Sequence, residues 1–506
     1  MERPGQAGEP ACGSSVYVYI FCRKALLLLD VYVYTQSTRQ LMWLPSLSGR
    51  RQRSLIVSTP ATTAAPPAID PKMRRKALVS SVLGSCIEWY DFYVYGVAAA
   101  IILNSQFFPN ASPFVGILLS FSTYAIGFAA RPIGGIIFAH FGDRLGRKKM
   151  LMMTLGLMGG GTFLIGCLPN FATIGIAAPI LLVLLRIVQG IGVGGEWGGA
   201  ALMATEFAPA KRRGFFGSWP QIGVPAGTLL ANGAFYIMGY LISPEAFVAW
   251  GWRIPFLVSI LLVVLSFYIR SKVDESPAFE EIKRKGEIEK MPVVKVIKTR
   301  PLTILKVIMM RFAENANYYI YTTFLLAYGP AVLLEKNSIL LATMIMAGLG
   351  VFSIPFWGWV SDRWGRRYTV IAGASTMLLM AFPFFWAVQT GDFLMLLLVL
   401  ILTCNVGRDL CYSVEPAYFT ELFEPKLRYS GASVGPQVAA VFAGGFAPLI
   451  ATALIGPGFD RYWLVALYMV VTSIITIIGA LWSPETAPRV RLRRGLSAEY
   501  DPTTAR

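Results

Sequence analysis

The chain is 506 residues long, 55% hydrophobic and only 14% charged, with a mean hydropathy of +0.57 and a formal charge of +17. A soluble domain carries roughly 25% charged residues, and soluble chains beyond about 250–300 residues split into domains rather than enlarge one core. So much apolar sequence is excluded from a water-soluble fold and points to a bilayer as the apolar solvent.

In a soluble protein the positive charge would suggest nucleic acid. Here the basic residues sit in short runs between apolar stretches, as in loops facing anionic lipid, and no nucleic-acid partner is expected. The single histidine, His140, leaves little room for a histidine-based nucleophile or an HExxH zinc site. The six cysteines (Cys12, Cys22, Cys86, Cys167, Cys404 and Cys411) form no CxxC pair and read as small buried hydrophobes. An enzyme, a metal and a cofactor are all unexpected.

Residues 1–76 read as an N-terminal extension, disordered or belonging to a mis-annotated start. The apolar runs Tyr17–Ile20 and Ala25–Val33 are shorter than the ~20 residues needed to span. Arg50, Arg51 and Arg53 form a basic cluster, and 59–71 is an Ala/Thr/Pro-rich lead-in. Val57, read as a GUG start, is the candidate natural beginning, which intact mass of the native protein would test.

From Lys76 the pattern becomes regular. Apolar stretches predict about twelve spanning helices, at 77–103, 113–139, 150–168, 177–205, 215–240, 250–269, 303–332, 339–360, 369–388, 393–419, 431–455 and 462–482. One set of loops carries Arg144/Arg147/Lys148/Lys149, Lys211/Arg212/Arg213, Arg363/Arg366/Arg367 and Lys426/Arg428; the alternating set carries only Lys336 and Arg461 as basic residues. The positive-inside rule places the first set, and both termini, in the cytoplasm. This predicts bundles at 77–269 and 302–484, a cytoplasmic linker at 270–301 and a basic tail at 485–506.

The halves echo each other. Asp143-Arg144-Leu145-Gly146-Arg147 returns as Asp362-Arg363-Trp364-Gly365-Arg366. Thr205-Glu206 returns as Thr420-Glu421, Pro220-Gln221 as Pro436-Gln437, and Glu88-Trp89-Tyr90-Asp91 as Glu314-Asn315-Ala316-Asn317. Parallel repeats of this kind suit an alternating-access carrier with its solute between the halves near the midplane.

The Asp-Arg-x-Gly-Arg loops and Arg186-Ile187-Val188-Gln189-Gly190 resemble signatures of the major facilitator superfamily. The resemblance narrows to its metabolite:proton symporter family through Glu88-Trp89-Tyr90-Asp91-Phe92, Arg131-Pro132-Ile133-Gly134-Gly135, Gly192-Val193-Gly194-Gly195-Glu196, Gly251-Trp252-Arg253-Ile254-Pro255-Phe256, Glu275-Ser276-Pro277-Ala278-Phe279 and Leu427-Arg428-Tyr429-Ser430-Gly431. It covers roughly residues 72–485. It implies an all-α fold of two pseudo-symmetric six-helix bundles. It also implies import, by a monomer in a bacterial inner membrane, of shikimate, a dicarboxylate such as 2-oxoglutarate, citrate, or proline and betaine, together with a proton. One departure is Ala139, where the signature has a glycine four residues before Asp143; the second half keeps Gly358 before Asp362.

Glu88 and Asp91 lie three positions apart on one helix face. An ionised carboxylate at that depth is costly, so the pair are the proton-coupling candidates, with a fixed pairing to an arginine as the alternative. Asp91 is the more distinctive, since its repeat partner Asn317 does not titrate. Arg131, Arg186, Arg311 and Arg408 are in-span cations that each need an anion, from the protein or the solute. The candidate substrate-binding set is Arg131, Arg186, Tyr90, Tyr93, Gln221, Glu314, Asn317, Tyr318 and Gln437. Trp89, Tyr90, Tyr93, Tyr95, Tyr318, Tyr319 and Tyr321 could line a cavity, but aromatics near span ends read first as interfacial anchors. Asp143, Arg144, Gly146, Arg147, Asp362, Arg363, Gly365 and Arg366 are candidate gates, because a loop carboxylate can accept from a neighbouring helix N-terminus and release it on opening. The rivals are an osmolyte symporter, a sugar or drug carrier, and a solute sensor on the same scaffold.

Overall fold

The computed structural model describes residues 71–145, 147–194, 204–205, 208–271, 292–424, 427–498 and 500–502, all within one compact unit, Ala68–Arg506. The extension up to residue 70, the linker segment 272–291, Val57 and Glu196 lie outside the described residues.

The described chain is helical, in twelve successive spans. In the first half these are α1 (Pro71–Ile101), α2 (Pro113–Phe138), α3 (Arg147–Cys167), α4 (Ala177–Val193), α5 (Ala210–Leu241) and α6 (Gly251–Tyr268). The second half holds α7 (301–332), α8 (Lys336–Trp364), α9 (Arg366–Leu379 then Ala381–Gln389), α10 (Phe393–Glu421), α11 (Arg428–Ile455) and α12 (Tyr462–Trp482). Among the described residues seven helices are long and apolar enough to cross a membrane alone, or eight counting α9, whose two parts meet at 43°. The apolar parts of α3 and α4 are shorter, and α7 is broken into consecutive pieces with a π-turn at Ile320–Phe324. Further π-turns fall at Ile401–Arg408 in α10 and Ala440–Gly445 in α11. Such turns free local backbone groups and recur at functional sites.

Helix pairing repeats between the halves. In the first, α1 packs on α5, α3 on α6 and α3 on α4; in the second, α7 packs on α11, α9 on α12 and α9 on α10. This is the six-helix repeat expected from the sequence echoes. The halves join where α5 meets α8 and α2 meets α11.

Solvent exposure is inverted relative to a soluble protein. On α12, Trp463, Leu467, Val471, Ile474, Ile478 and Leu481 are all exposed at three- and four-residue spacing, a lipid-facing stripe. The charged residues are inside: Arg186, Asp91, Glu314, Arg408, Asp409 and Glu415 are all buried. Small residues let the helices approach. A Cβ on Gly190 of α4 would stand 2.9 Å from the carbonyl carbon of Gly127 and 3.0 Å from the Ala130 Cβ of α2, closer than real Cβ contacts, so glycine is what permits this crossing.

Candidate functional site

A small cleft lies between the halves, lined by Glu88 and Trp89 of α1, Arg131 of α2, Arg311 of α7 and Gln437 of α11. Its principal cation is Arg131. The guanidinium carbon lies 4.1 Å from the centroid of Phe92 and 4.0 Å from that of Phe128, with Trp89 at 5.9 Å. Each such contact offsets part of the burial cost by about 0.5–2 kcal/mol. The Nε and Nη2 atoms have no hydrogen-bond acceptor among the described residues. Arginine does not discard its charge. The side chain is therefore a buried cation set against two mutually perpendicular rings whose centroids are 4.6 Å apart, with donors left open, and such a fork can recognise a planar carboxylate.

Behind it on α1 is Asp91, fully buried, with no donor to either carboxylate oxygen. Its surroundings are apolar: an added Cβ on Gly159 of α3 would be 3.3 Å from both Asp91 Oδ2 and Val263 Cβ of α6. The repeat-related Asn317 sits in a polar setting. Its amide donates to Ser473 at 3.4 Å and its carbonyl accepts from Thr472 at 3.2 Å, both on α12. The same position is satisfied in one half and orphaned in the other.

Arg186 does not reach the cleft. It is fully buried within the first half, donates to Gln189 and to the Tyr124 carbonyl at 3.3 Å, and lies 3.8 Å over Tyr95. Gln189 passes the network on to Thr162 at 2.7 Å and to the Asp91 carbonyl at 3.4 Å.

In the second half Arg311 pairs with Glu415 at 2.6 Å and with Glu314 at 3.6 Å. Arg408 pairs with Asp409 at 2.9 Å and with Glu314 at 3.6 Å, and lies over Tyr412 and Tyr318 at 3.6 and 4.3 Å. The adjacent pair Arg408-Asp409 partly neutralises itself. Glu415 was not singled out from the sequence; the available signal was an acid before proline inside an apolar span. Among the described residues no group of His, Cys, Asp and Glu is arranged to hold a metal ion.

The sugar (and other) transporter profile matches residues 76–313 and 280–490. The shikimate transporter of Escherichia coli is 42% identical over 410 residues, covering 80% of this chain and 94% of that protein. The E. coli inner membrane metabolite transport protein YhjE is 39% identical, covering 82% and 94%, and the proline/betaine transporter of Salmonella typhimurium 35%, covering 83% and 85%. The chain belongs to the sugar (and other) transporter family, within the major facilitator superfamily. Its fold matches the xylose transporter XylE of E. coli in a partially occluded inward-open state, with a TM-score of 0.64 at 19% identity, covering 82% of this chain and 99% of XylE. The family is one of transporters, not enzymes, and this transporter is a multi-pass membrane protein for small solutes.

The transporter's halves are tied by polar contacts along their seam. Gln221 donates to the Tyr412 carbonyl at 3.1 Å, Tyr318 bonds Thr228 at 2.8 Å, Asn232 donates to Thr343 at 2.7 Å and Gln437 donates to the Gly194 carbonyl at 3.3 Å. Gln221, Tyr318 and Gln437, candidates for the solute, hold the two halves together in this conformation. Tyr93 packs at the same seam against Tyr318 and Tyr319, at 6.0 and 6.1 Å, whereas Tyr90 turns away and donates to the Pro255 carbonyl at 2.7 Å. The expectation that Tyr95, Tyr319 and Tyr321 are interfacial anchors is corrected: all are buried, Tyr95 under Arg186 and beside Tyr124, Tyr319 against Tyr124 and Phe128, and Tyr321 against Phe384.

At the basic-loop end, Asp362 of α8 accepts from the backbone N–H groups of Gly214 and Phe215 of α5, at 2.9 and 3.0 Å. Arg366 is fully buried and binds Asp362 at 2.9 Å, Ser361 at 2.8 Å and Glu421 at 3.3 Å. Arg363 lies 3.5 Å over Trp359, outside this network. Gly365 takes φ 113°, closed to side chains, and Glu485 packs against it while accepting from the N–H groups of Arg366 and Arg367 at 2.8 and 3.1 Å. Gly358 explains the tight crossing, since a Cβ there would be 2.6 Å from Ser218 Oγ and 2.7 Å from the Gly214 carbonyl. The side chains of Asp143, Arg144 and Arg147, and all of Gly146, lie outside the described residues.

Proposed function

We propose that this transporter imports a small organic carboxylate, of the shikimate or dicarboxylate kind, with a proton, by alternating access across a bacterial inner membrane with both termini cytoplasmic. The observation that carries this reading is Arg131, a buried cation with open donors facing a cleft between the halves. Asp91, buried on α1 and without a donor, supports the proton-coupling half of it. A carboxyl group there is comfortable when protonated and costly when ionised, so it would release its proton only when the cleft admits water. Glu88, lining the cleft, is the second candidate. The relatives named for shikimate and other metabolites point the same way.

The energetics suit an anion. Moving one negative charge inward against an inside-negative potential costs about 2.3 kcal/mol per 100 mV, and tenfold accumulation costs about 1.4 kcal/mol more. One co-transported proton cancels the first cost and lets the pH gradient supply the second. A relative named for proline and betaine keeps an osmolyte as the second reading, but the ring faces of Phe92 and Phe128 that would cage a quaternary ammonium are taken by Arg131. We read Asp362 and Arg366 as the cytoplasmic gate.

The test is external pH in proteoliposomes on adding shikimate, 2-oxoglutarate, citrate, proline or betaine. Alkalinisation with a carboxylate, lost in Asp91→Asn, is the expected outcome. Labelled-solute flux that needs no pH gradient, with no proton movement for any of the five, would make this a uniporter and Asp91 a structural residue.

A further inference from the structure

Among the described residues the second half contains a buried ionic cluster with one more carboxylate than cations. Arg311 and Arg408 supply two positive charges; Glu314, Asp409 and Glu415 supply three carboxylates, all within the same chain of contacts. Side-chain exposures run from 2% to 6%, so water does not make up the difference, and an unbalanced charge so deep is strongly disfavoured.

The hydrogen bonds identify where the imbalance falls. Asp409 receives donors from Arg408, Ser353 and Asn405 and is settled as an anion. Glu314 and Glu415 are different. Oε1 of each is buried and has no donor among the described residues, yet the two side chains lie within hydrogen-bonding reach of each other. Two facing acceptors cannot bond until one carries a proton. A single proton shared by the pair would supply the missing donor and remove the surplus charge together.

The groups facing the pair are Arg311 and Tyr319 on α7 and Arg408, Asp409, Cys411 and Tyr412 on α10. Arg131 of α2 and Glu88 of α1 stand across the cleft that Arg311 also lines. Arg311 thus has one side toward Glu415 and another toward the cleft.

We infer that Glu314 and Glu415 form a proton-binding site in the second half, distinct from Asp91, coupled through Arg311 to an anion in the cleft. A carboxylate held between Arg131 and Arg311 competes with Glu415 for Arg311. With that support weakened, the Glu314–Glu415 pair retains its proton more tightly; when the solute leaves, Arg311 returns to Glu415 and favours release. No covalent bond is made or broken beyond transfer of the proton to and from water. The coupling step rests on the carboxylate-import reading; the proton site does not.

The experiment has two arms, both on the full-length transporter. In lipid nanodiscs, infrared spectroscopy of the wild type at neutral pH shows the carbonyl stretch of a protonated carboxyl group. That band is lost in Glu415→Gln and in Glu314→Gln, since each removes the surplus charge, and survives in Asp91→Asn with only the Asp91 contribution removed. A spectrum unchanged in both glutamine variants overturns the inference, and Glu314→Gln decides the matter if Glu415→Gln does not fold. In proteoliposomes with shikimate as probe, Glu415→Gln keeps solute exchange and loses accumulation driven by a pH gradient. Retained gradient-driven accumulation in Glu415→Gln overturns the coupling. A wild type that ignores shikimate refutes the substrate reading while leaving the infrared result to stand or fall alone.

Discussion

Replacing Asp362 by asparagine should open the basic-loop end of the transporter. The carboxylate accepts from two backbone N–H groups at the first turns of α5, at 2.9 and 3.0 Å, and is 5% exposed. Hydrogen bonds to a charged group are worth about 1.5–3 kcal/mol each. Asparagine keeps one carbonyl acceptor and presents an amide where the second stood, so one bond is lost and the other loses its charge. Arg366 keeps Glu421 at 3.3 Å and does not become an isolated charge. The net loss is about 2–3 kcal/mol, which shifts the closed-to-open ratio by about 30- to 150-fold at 1.4 kcal/mol per decade. Spin labels at Lys211 and Trp364, in a background cleared of native cysteines, would report it by pulsed EPR. The wild type should give one short-distance population, and Asp362→Asn a second, longer one. Gly358→Ala should do the same by steric means, because its new methyl has 2.6 Å to Ser218 Oγ. Identical distance distributions in all three proteins would refute the assignment of this contact as a gate.

Arg131→Gln should raise the dissociation constant for the transported carboxylate by about 1.5 to 3.5 orders of magnitude, since breaking a buried charged pair costs about 2–5 kcal/mol; Arg131→Lys should restore it only in part, having no planar fork. Equilibrium binding of labelled solute measures both. Asp91→Asn should exchange solute across the membrane but fail to accumulate it on a pH gradient, as read by counterflow against gradient-driven uptake. Gly190→Ala should lower folded yield and thermal stability in detergent, because overpacking costs about 1–3 kcal/mol and the Ala130 Cβ lies 3.0 Å from the new methyl.

The spans were legible because the bilayer imposes a length and a composition on every helix. Glu88 and Asp91 were legible as acids where acids are expensive, and Gly358 through its fixed place before Asp362. Partners were not legible. Nothing in the spacing of α1 and α2 says that Phe92 and Phe128 hold Arg131 while Arg186 is tied to Gln189 inside the first half. Long-range pairing is decided by helix rotation, and a one-residue turn of 100° exchanges a cleft position for a core position. Glu415 was hidden for the same reason: its meaning comes from Glu314 and from Arg311, which is 104 residues earlier and three helices back in the chain.

The repeat makes the division of labour between the halves arguable from position alone. Glu88 and Glu314 are repeat partners, and each stands beside an arginine that lines the cleft: Arg131 in the first half, Arg311 in the second. Asp91 and Asn317 are partners too, but the second half surrounds its residue with Thr472 and Ser473 and the first offers its acid Gly159 and Val263. A duplicated scaffold whose polar position is satisfied in one copy would lose nothing by satisfying it in the other, since a single serine on α6 would serve. Keeping a donor-less carboxyl group in an apolar wall costs stability, and it does so three residues along α1 from Glu88, which lines the cleft. That cost is hard to explain as structure and follows directly if Asp91 alternates between a protonated, closed state and an ionised, hydrated one.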